Sequence, residues 1–243
     1  MNEVIDLLKS HRSIRKFTDQ AIPRDLLLEL IRAGQSAATS SHVQAYSIIH
    51  VKNPENREKI AELASGQTYI ATCSDFLVFC ADMKRPTDSA ERTGAEVVRG
   101  MTEQFLVASV DTALMAQNVV VAAESAGLGI CYIGGIRNNP AEISELLKLP
   151  DHVFPVFGLC LGYPDQDPEV KPRLPVESIL MEDYYREDED SVNRFDDTMH
   201  TYYSERTGGN KDTNWSEQLS PLFNAKLRAH MRDFLKKRGF ELK

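Results

Sequence analysis

Residues 105–126 read FLVASVDTALMAQNVVVAAESA, the most apolar stretch of a 243-residue chain. Asp111, Gln117, Asn118 and Glu124 lie inside it and Gln104 just before it, which makes it a poor membrane span. The reading that remains is a helix buried nearly all round. Such a helix needs partners on every side, from its own domain and from a second subunit. Immediately after it comes Gly127-Leu128-Gly129-Ile130-Cys131-Tyr132, which has the look of a dinucleotide fingerprint. In a dinucleotide fold a strand enters the glycines and a helix leaves them, so that the helix N-terminus meets the pyrophosphate. Here a helix enters and a strand leaves, so the two glycines are read as a helix end and a turn.

Working outward, apolar periodicity predicts helices over residues 4–8, from Leu26 to about Gly34 after Pro23, and over 54–64. Strands are expected at 47–51 and 76–82, with a charged helix between the second of these and the long one. Beyond the glycines the pattern gives a strand at 131–133, a helix at 140–147 and a strand at 153–161. After Pro164 the chain turns Pro-rich and charged, then ends in an amphipathic helix around Leu227, Met231, Phe234 and Leu235. Helices and strands mix too irregularly for repeated βαβ units, which favours an α+β fold. The expected organisation is one domain over 1–243, with a C-terminal extension from about residue 164.

Composition is that of an ordinary globular chain, 42% hydrophobic and 26% charged. The net charge of −8 is concentrated: residues 182–197 hold eight acids and two bases, and read as a solvated loop. No broad basic face is present, which argues against nucleic acid as a partner. The start, Met1-Asn2-Glu3-Val4-Ile5-Asp6, is unlike a signal peptide, so the expected location is cytoplasmic, without membrane attachment. Cys73, Cys80, Cys131 and Cys160 are scattered singly, and no cation is seen near any of them in sequence. The six histidines show no metal-ligand spacing, and no nucleophile elbow or Walker loop occurs. No metal is expected.

Four stretches carry chemistry. His11-Arg12-Ser13-Ile14-Arg15-Lys16, placed at the end of the first helix, crowds cations whose mutual repulsion needs a reason. Either they serve a helix C-terminus or they gather an anion. Lys171-Pro172-Arg173 presents two cations on a proline-stiffened loop, either an ordinary basic surface or a phosphate contact. Thr39-Ser40-Ser41 with Gln44, and separately Gly66-Gln67, offer hydroxyls and amides that suit a turn or the edge of a polar heterocycle. Tyr132-Ile133-Gly134-Gly135 ends a strand in two glycines, where a flat ligand can approach the backbone.

Taken in order, these stretches resemble the nitroreductase superfamily, and within it the NADPH-dependent, oxygen-insensitive nitroreductase and flavin reductase group. Gln117-Asn118, Ala122-Ala123-Glu124-Ser125, Phe157-Gly158-Leu159 and residues 206–215 extend the likeness over nearly the whole chain. The resemblance implies a central sheet flanked by helices in an intertwined homodimer, with FMN at the subunit interface. It implies that His11, Arg12, Ser13 and Arg15 hold the flavin and its phosphate, with Lys171 and Arg173 completing the anion site. Thr39 (serine in some relatives), Ser40, Ser41 and Gln67 would contact the flavin edge or tail. Tyr132, Ile133, Gly134 and Gly135 would bring backbone N–H groups to the ring. Arg206, Lys211 and Arg228 would meet NADPH or the acceptor. The implied activity is ping-pong, two-electron reduction of nitroaromatics, quinones or free flavins, with flavin N5 carrying the hydride and no catalytic side chain. Alternatives within the fold are a dehalogenase or a flavin-degrading enzyme, and outside catalysis a flavin-binding regulator.

Overall fold

The computed structural model describes residues 2–225, 227–241 and 243. The chain divides into two compact units, residues 1–167 with 230–243, and residues 168–229.

The first unit is built on a four-stranded antiparallel sheet of order β1-β2-β4-β3, formed by Tyr46–His50, Asp75–Asp82, Gly129–Ile133 and Val153–Gly162. Side chains alternate along each strand, so β2 serves two cores. Phe76, Val78 and Cys80 face α3 (Pro54–Leu63), α4 (Tyr69–Thr72) and α7 (Pro140–Leu146), while Leu77 and Phe79 face α2 (Arg24–Gln35) and α6 (Thr102–Ser125). Burial on both faces explains why β2 reads as a nearly unbroken apolar run. The first unit also holds α1 (Glu3–Lys9), α5 (Lys84–Glu91) and α10 (Met231–Lys237).

The α6 helix is long and apolar enough to cross a membrane by length and composition alone. Within the chain, however, it is one-sided rather than buried all round. Met115, Ala116, Val119 and Val120 are in the core, while Leu106, Val110 and Leu114, four residues apart, are each about half exposed. The α2 helix starts after Pro23 and ends at Gln35, next to Gly34, as expected; within it, a Cβ on Gly34 would come within 2.5 Å of Val119 Cγ2. The glycine therefore sets how closely α2 approaches α6. The glycine turn after α6 is as read, with Gly127 left-handed (φ 76°) between helix and strand.

Three further expectations change. Residues 11–16 do not end a helix: α1 stops at Lys9, and the basic stretch runs extended beside β3, with Ser13 bridged to Ile130. The second half of the acidic run is not loop but the start of α8 (Glu189–Glu205) in the second unit. There Asp188 accepts the Ser191 N–H as N-cap, and Glu189 and Asp190 occupy the first turn, where negative charge suits the helix dipole. Finally, Leu227 and Arg228 precede α10 instead of belonging to it. The second unit also contains α9 (Trp215–Asn224), with a small core of Phe195, Met199 and Tyr203 and Trp215 packed edge-on to Phe195.

Candidate functional site

The extended 11–16 stretch decides how its cations are used. Ile14 N–H donates to Ile130 O (2.8 Å), Thr18 N–H to Tyr163 O, and Asp165 N–H to Lys16 O, so the stretch is tied to β3 and to the residues after β4. Alternation along it separates the two arginines. Arg12 shares the Ile14 side, lining a 170 Å³ cavity with Glu124, the 127–129 turn and Gln166. Its guanidinium donates to Ser10 O and pairs with Asp167, while its buried Nε has no partner among the described residues. His11 Nδ1 lies 2.5 Å from Glu124 Oε1 in the same region.

Arg15 instead lies by Tyr69 and Cys131, where its charge favours the ionised phenol and thiol. Tyr69 O–H donates to Gln67 Oε1 (2.9 Å). Burial raises the Tyr69 phenol above its ordinary value, opposed by Arg15. Gly135 backs directly onto this group, since a Cβ there would come within 2.7 Å of Gln67 Nε2 and 2.9 Å of Ala64 O. Arg15, Tyr69, Gln67 and Gly135 thus converge where β3 runs into the 3₁₀ turn Gly134–Asn138. Tyr132 points elsewhere, edge-on to Phe157, and burial, with Glu124 adding to it, pushes its phenol up.

Ser40 and Ser41 are exposed on a loop that requires Ser41, His42 and Gln44 in the left-handed region. Asp111, buried in the middle of α6, holds both ends of that loop by accepting N–H groups from Ser40 (2.9 Å) and Ala45 (3.1 Å). Thr39 lies at its entry, in extended backbone.

In the second unit Lys171 and Arg206, given to different ligands by the sequence, share one ring: each cation lies 5.1 Å from the Tyr203 centroid. Arg206 Nε also donates to Gly209 O (2.7 Å). Glu169 accepts both the N–H and the O–H of Thr207, which, with Arg206 nearby, lowers its carboxyl to about 2. Arg173 and Lys211 are exposed, and Arg228 lies in a turn with left-handed backbone.

Sequence reading did not name Tyr69, Glu124 or Asp111 as candidate site residues. Tyr69 stood two residues after Gln67. Asp111 counted only as an interruption of an apolar helix, and Glu124 as an interruption and as part of the family likeness; an acid inside such a helix is itself the signal that could have found them. Reading also missed that Arg57 Nη2 lies 3.0 Å from the Cys73 thiol. The Cys160 thiol beside it, with Arg57, holds the Cys73 thiol below its ordinary value. Among the described residues no group of His, Cys, Asp and Glu is placed to hold a metal ion.

The donor set fits a phosphorylated flavin. Guanidinium groups suit a terminal phosphate, and an amide and a phenol suit a polar ring edge. Arg12 Nε is a buried donor without an acceptor among the described residues.

The sequence profile of the Nitroreductase family matches residues 8–163, and that of the Nitroreductase family C-terminal domain matches 171–243. The FMN reductase (NADPH) of Bacillus subtilis (strain 168) is 43% identical over 246 residues, 99% of each chain. The oxygen-insensitive NADPH nitroreductase of Salmonella typhimurium is 41% identical over 241 residues, 99% of each chain. The solved NADPH:FMN oxidoreductase from Vibrio harveyi, complexed with NAD+, superposes with a TM-score of 0.90 at 40% identity over 98% of each chain. Fold, donor set and full-length likeness agree, and this chain belongs to the nitroreductase family.

Proposed function

We propose that this protein is an FMN-dependent NADPH oxidoreductase that reduces small electron-poor acceptors, namely nitroaromatics, quinones or free flavins. The observation that carries the reading is the convergence of Arg15, Tyr69, Gln67 and Gly135 at the end of β3, in a chain related over its full length to NADPH-flavin oxidoreductases. Flavin held there would supply two-electron chemistry between NADPH and the acceptor. The chain's own work is to bind and orient. Arg12 attracts the phosphate, Gln67 and Tyr69, with Arg15 beside them, address the polar edge of the flavin, and Gly134 and Gly135 bring backbone N–H groups to the ring. His11 and Ser13 are proposed neighbours of the cofactor, as are Thr39, Ser40 and Ser41, Tyr132 and Ile133. Lys171 and Arg173 are proposed as further phosphate cations, and Arg206, Lys211 and Arg228 as contacts for NADPH or the acceptor.

The same proposal includes a homodimer and a cytoplasmic location, where NADPH is regenerated. The Leu106, Val110 and Leu114 stripe supports the dimer, as do Ile5 and Leu8, exposed on α1, which packs on α6. The test is to purify the protein, identify the released flavin, and add NADPH without oxygen. FMN should be recovered at one per chain, its visible bands should bleach with NADPH, and they should return on adding a quinone or nitrofurazone. Donor and acceptor using one flavin face in turn should give parallel initial-rate lines. Recovery of FAD, or flavin that NADPH leaves oxidised, would refute the reading.

A further inference from the structure

A cavity of 380 Å³ opens between β1, the junction of β2 with α5, and the turn joining α7 to β4. It lies wholly within the first unit, and none of the residues proposed for flavin, NADPH or acceptor lines it. Its size is within the range of small-molecule pockets, which pair an apolar wall with a few placed polar groups. Ile49, Leu147, Leu149 and Val153 form such a wall.

The charges around it do not cancel. Two acids reach the cavity, Asp82 and Asp88, and both are engaged. Asp82 is buried; it accepts the Ser47 hydroxyl and the Arg85 N–H (3.1 Å), and its carboxylate lies 3.5 Å from the Arg85 guanidinium. Asp88 is held by Lys84 and, at 3.0 Å, by Arg99, and these bonds keep its carboxyl below the usual range. Two more cations face the same space. The Arg92 guanidinium donates to the Ser89 hydroxyl (2.8 Å), and neither it nor the Lys148 ammonium has a carboxylate partner among the described residues. Lys148 is left-handed (φ 52°) at the end of α7, a backbone position that favours glycine. The cavity therefore has an apolar wall and two cations whose charge no carboxylate among the described residues answers.

We propose that this cavity is a second ligand site for a small organic anion. An apolar ring would rest on Ile49, Leu147 and Val153, and a single carboxylate, sulfonate or phosphate-ester head would lie between Arg92 and Lys148. The site is independent of the flavin reading. Arg85 gives it one link to the flavin loop, since it also donates to Tyr46 O (3.2 Å), next to Ala45 at the end of that loop.

The test uses the flavin-loaded protein and 2-naphthalenesulfonate as probe, followed by calorimetry, alongside the double variant Arg92→Ala/Lys148→Ala. Both side chains are exposed, so the variant should keep its unfolding temperature and its NADPH-dependent turnover. The expected result is one site per chain whose dissociation constant rises at least tenfold in the double variant, weakens with salt, and is unaffected by NADP+. Neutral 2-methylnaphthalene should bind at least tenfold more weakly than the sulfonate. Absence of binding at millimolar probe, equal binding by parent and variant, or displacement of the probe by NADP+ would each overturn the proposal. The last outcome would mean that the probe occupies the acceptor site. Loss of flavin without loss of probe binding would count against the proposed function and leave this site standing.

Discussion

Replacing Asp111 with alanine removes one carboxylate and strands two backbone donors at once. Asp111 is 1% exposed, and its oxygens accept N–H groups from Ser40 and Ala45, the two ends of the 40–45 loop. An unmatched buried donor costs about 1–3 kcal/mol. Ala45 is fully buried and bears the larger share, whereas Ser40 is exposed and its N–H can turn to water. The sum is roughly 2–4 kcal/mol. Left-handed backbone at Ser41, His42 and Gln44 adds to the effect, because each such residue is strained by roughly 1–2 kcal/mol and the carboxylate clamp holds them there. At about 2–4 °C per kcal/mol for a chain of this length, we predict a fall in melting temperature of about 4–16 °C. FMN affinity should fall as well, since Ser40 and Ser41 lose their preset position. Asp111→Asn, which keeps the shape and one acceptor, should lose about half as much. Circular dichroism melts and titration of apoprotein with FMN measure both quantities. If Asp111→Ala melts within about 2 °C of the parent and binds FMN equally well, the clamp does not act as argued.

Leu114→Arg should leave the chain's own core intact, because Leu114 is already 45% exposed, yet it should prevent dimerisation. Burying an unpaired guanidinium costs roughly 4 kcal/mol or more, about a 1,000-fold loss in association; light scattering that still gives a dimer at micromolar concentration would remove the stripe from the interface. Arg206→Ala should raise the Michaelis constant for NADPH about 10- to 100-fold, on roughly 1.5–3 kcal/mol for one charge-assisted bond to the 2′-phosphate. The constant for NADH should move little; equal losses for both donors would make Arg206 a structural partner of Tyr203. His50 and His152 both lie below their ordinary value of 6.5, burial being the leading cause for each, with Asp75 opposing it at His50 and Arg99 adding to it at His152. The native state then binds fewer protons than the unfolded chain once pH drops below 6.5. The stability these histidines contribute is therefore complete above that pH and is lost as pH falls toward their folded values. A His50→Gln/His152→Gln variant should show a shallower loss of stability on acidification, and an unchanged slope would show that other groups control it.

The sequence alone determined much of the secondary structure and the family. Proline at the starts of α3 and α7, the glycine turn after α6 and the alternation in the strands are local signals, acting over a few residues through backbone dihedrals and side-chain periodicity. The ordered motifs from His11 to Arg173 are likewise written along the chain. Tertiary structure alone decided how those motifs are used. Extended pairing with β3 sent Arg12 and Arg15 to different neighbours, although both had been read as one basic cluster. Packing on Tyr203 joined Lys171 to Arg206 across a stretch with no shared pattern. Asp111 reached Ser40, 71 residues away in sequence, and so became a clamp where it had counted only as a polar interruption. Such pairings depend on where the sheet and helices bring distant backbone together, and hydrophobic burial, which drives that packing, is non-directional. The sequence can therefore say that a buried acid must find donors, and only the packed fold says which ones.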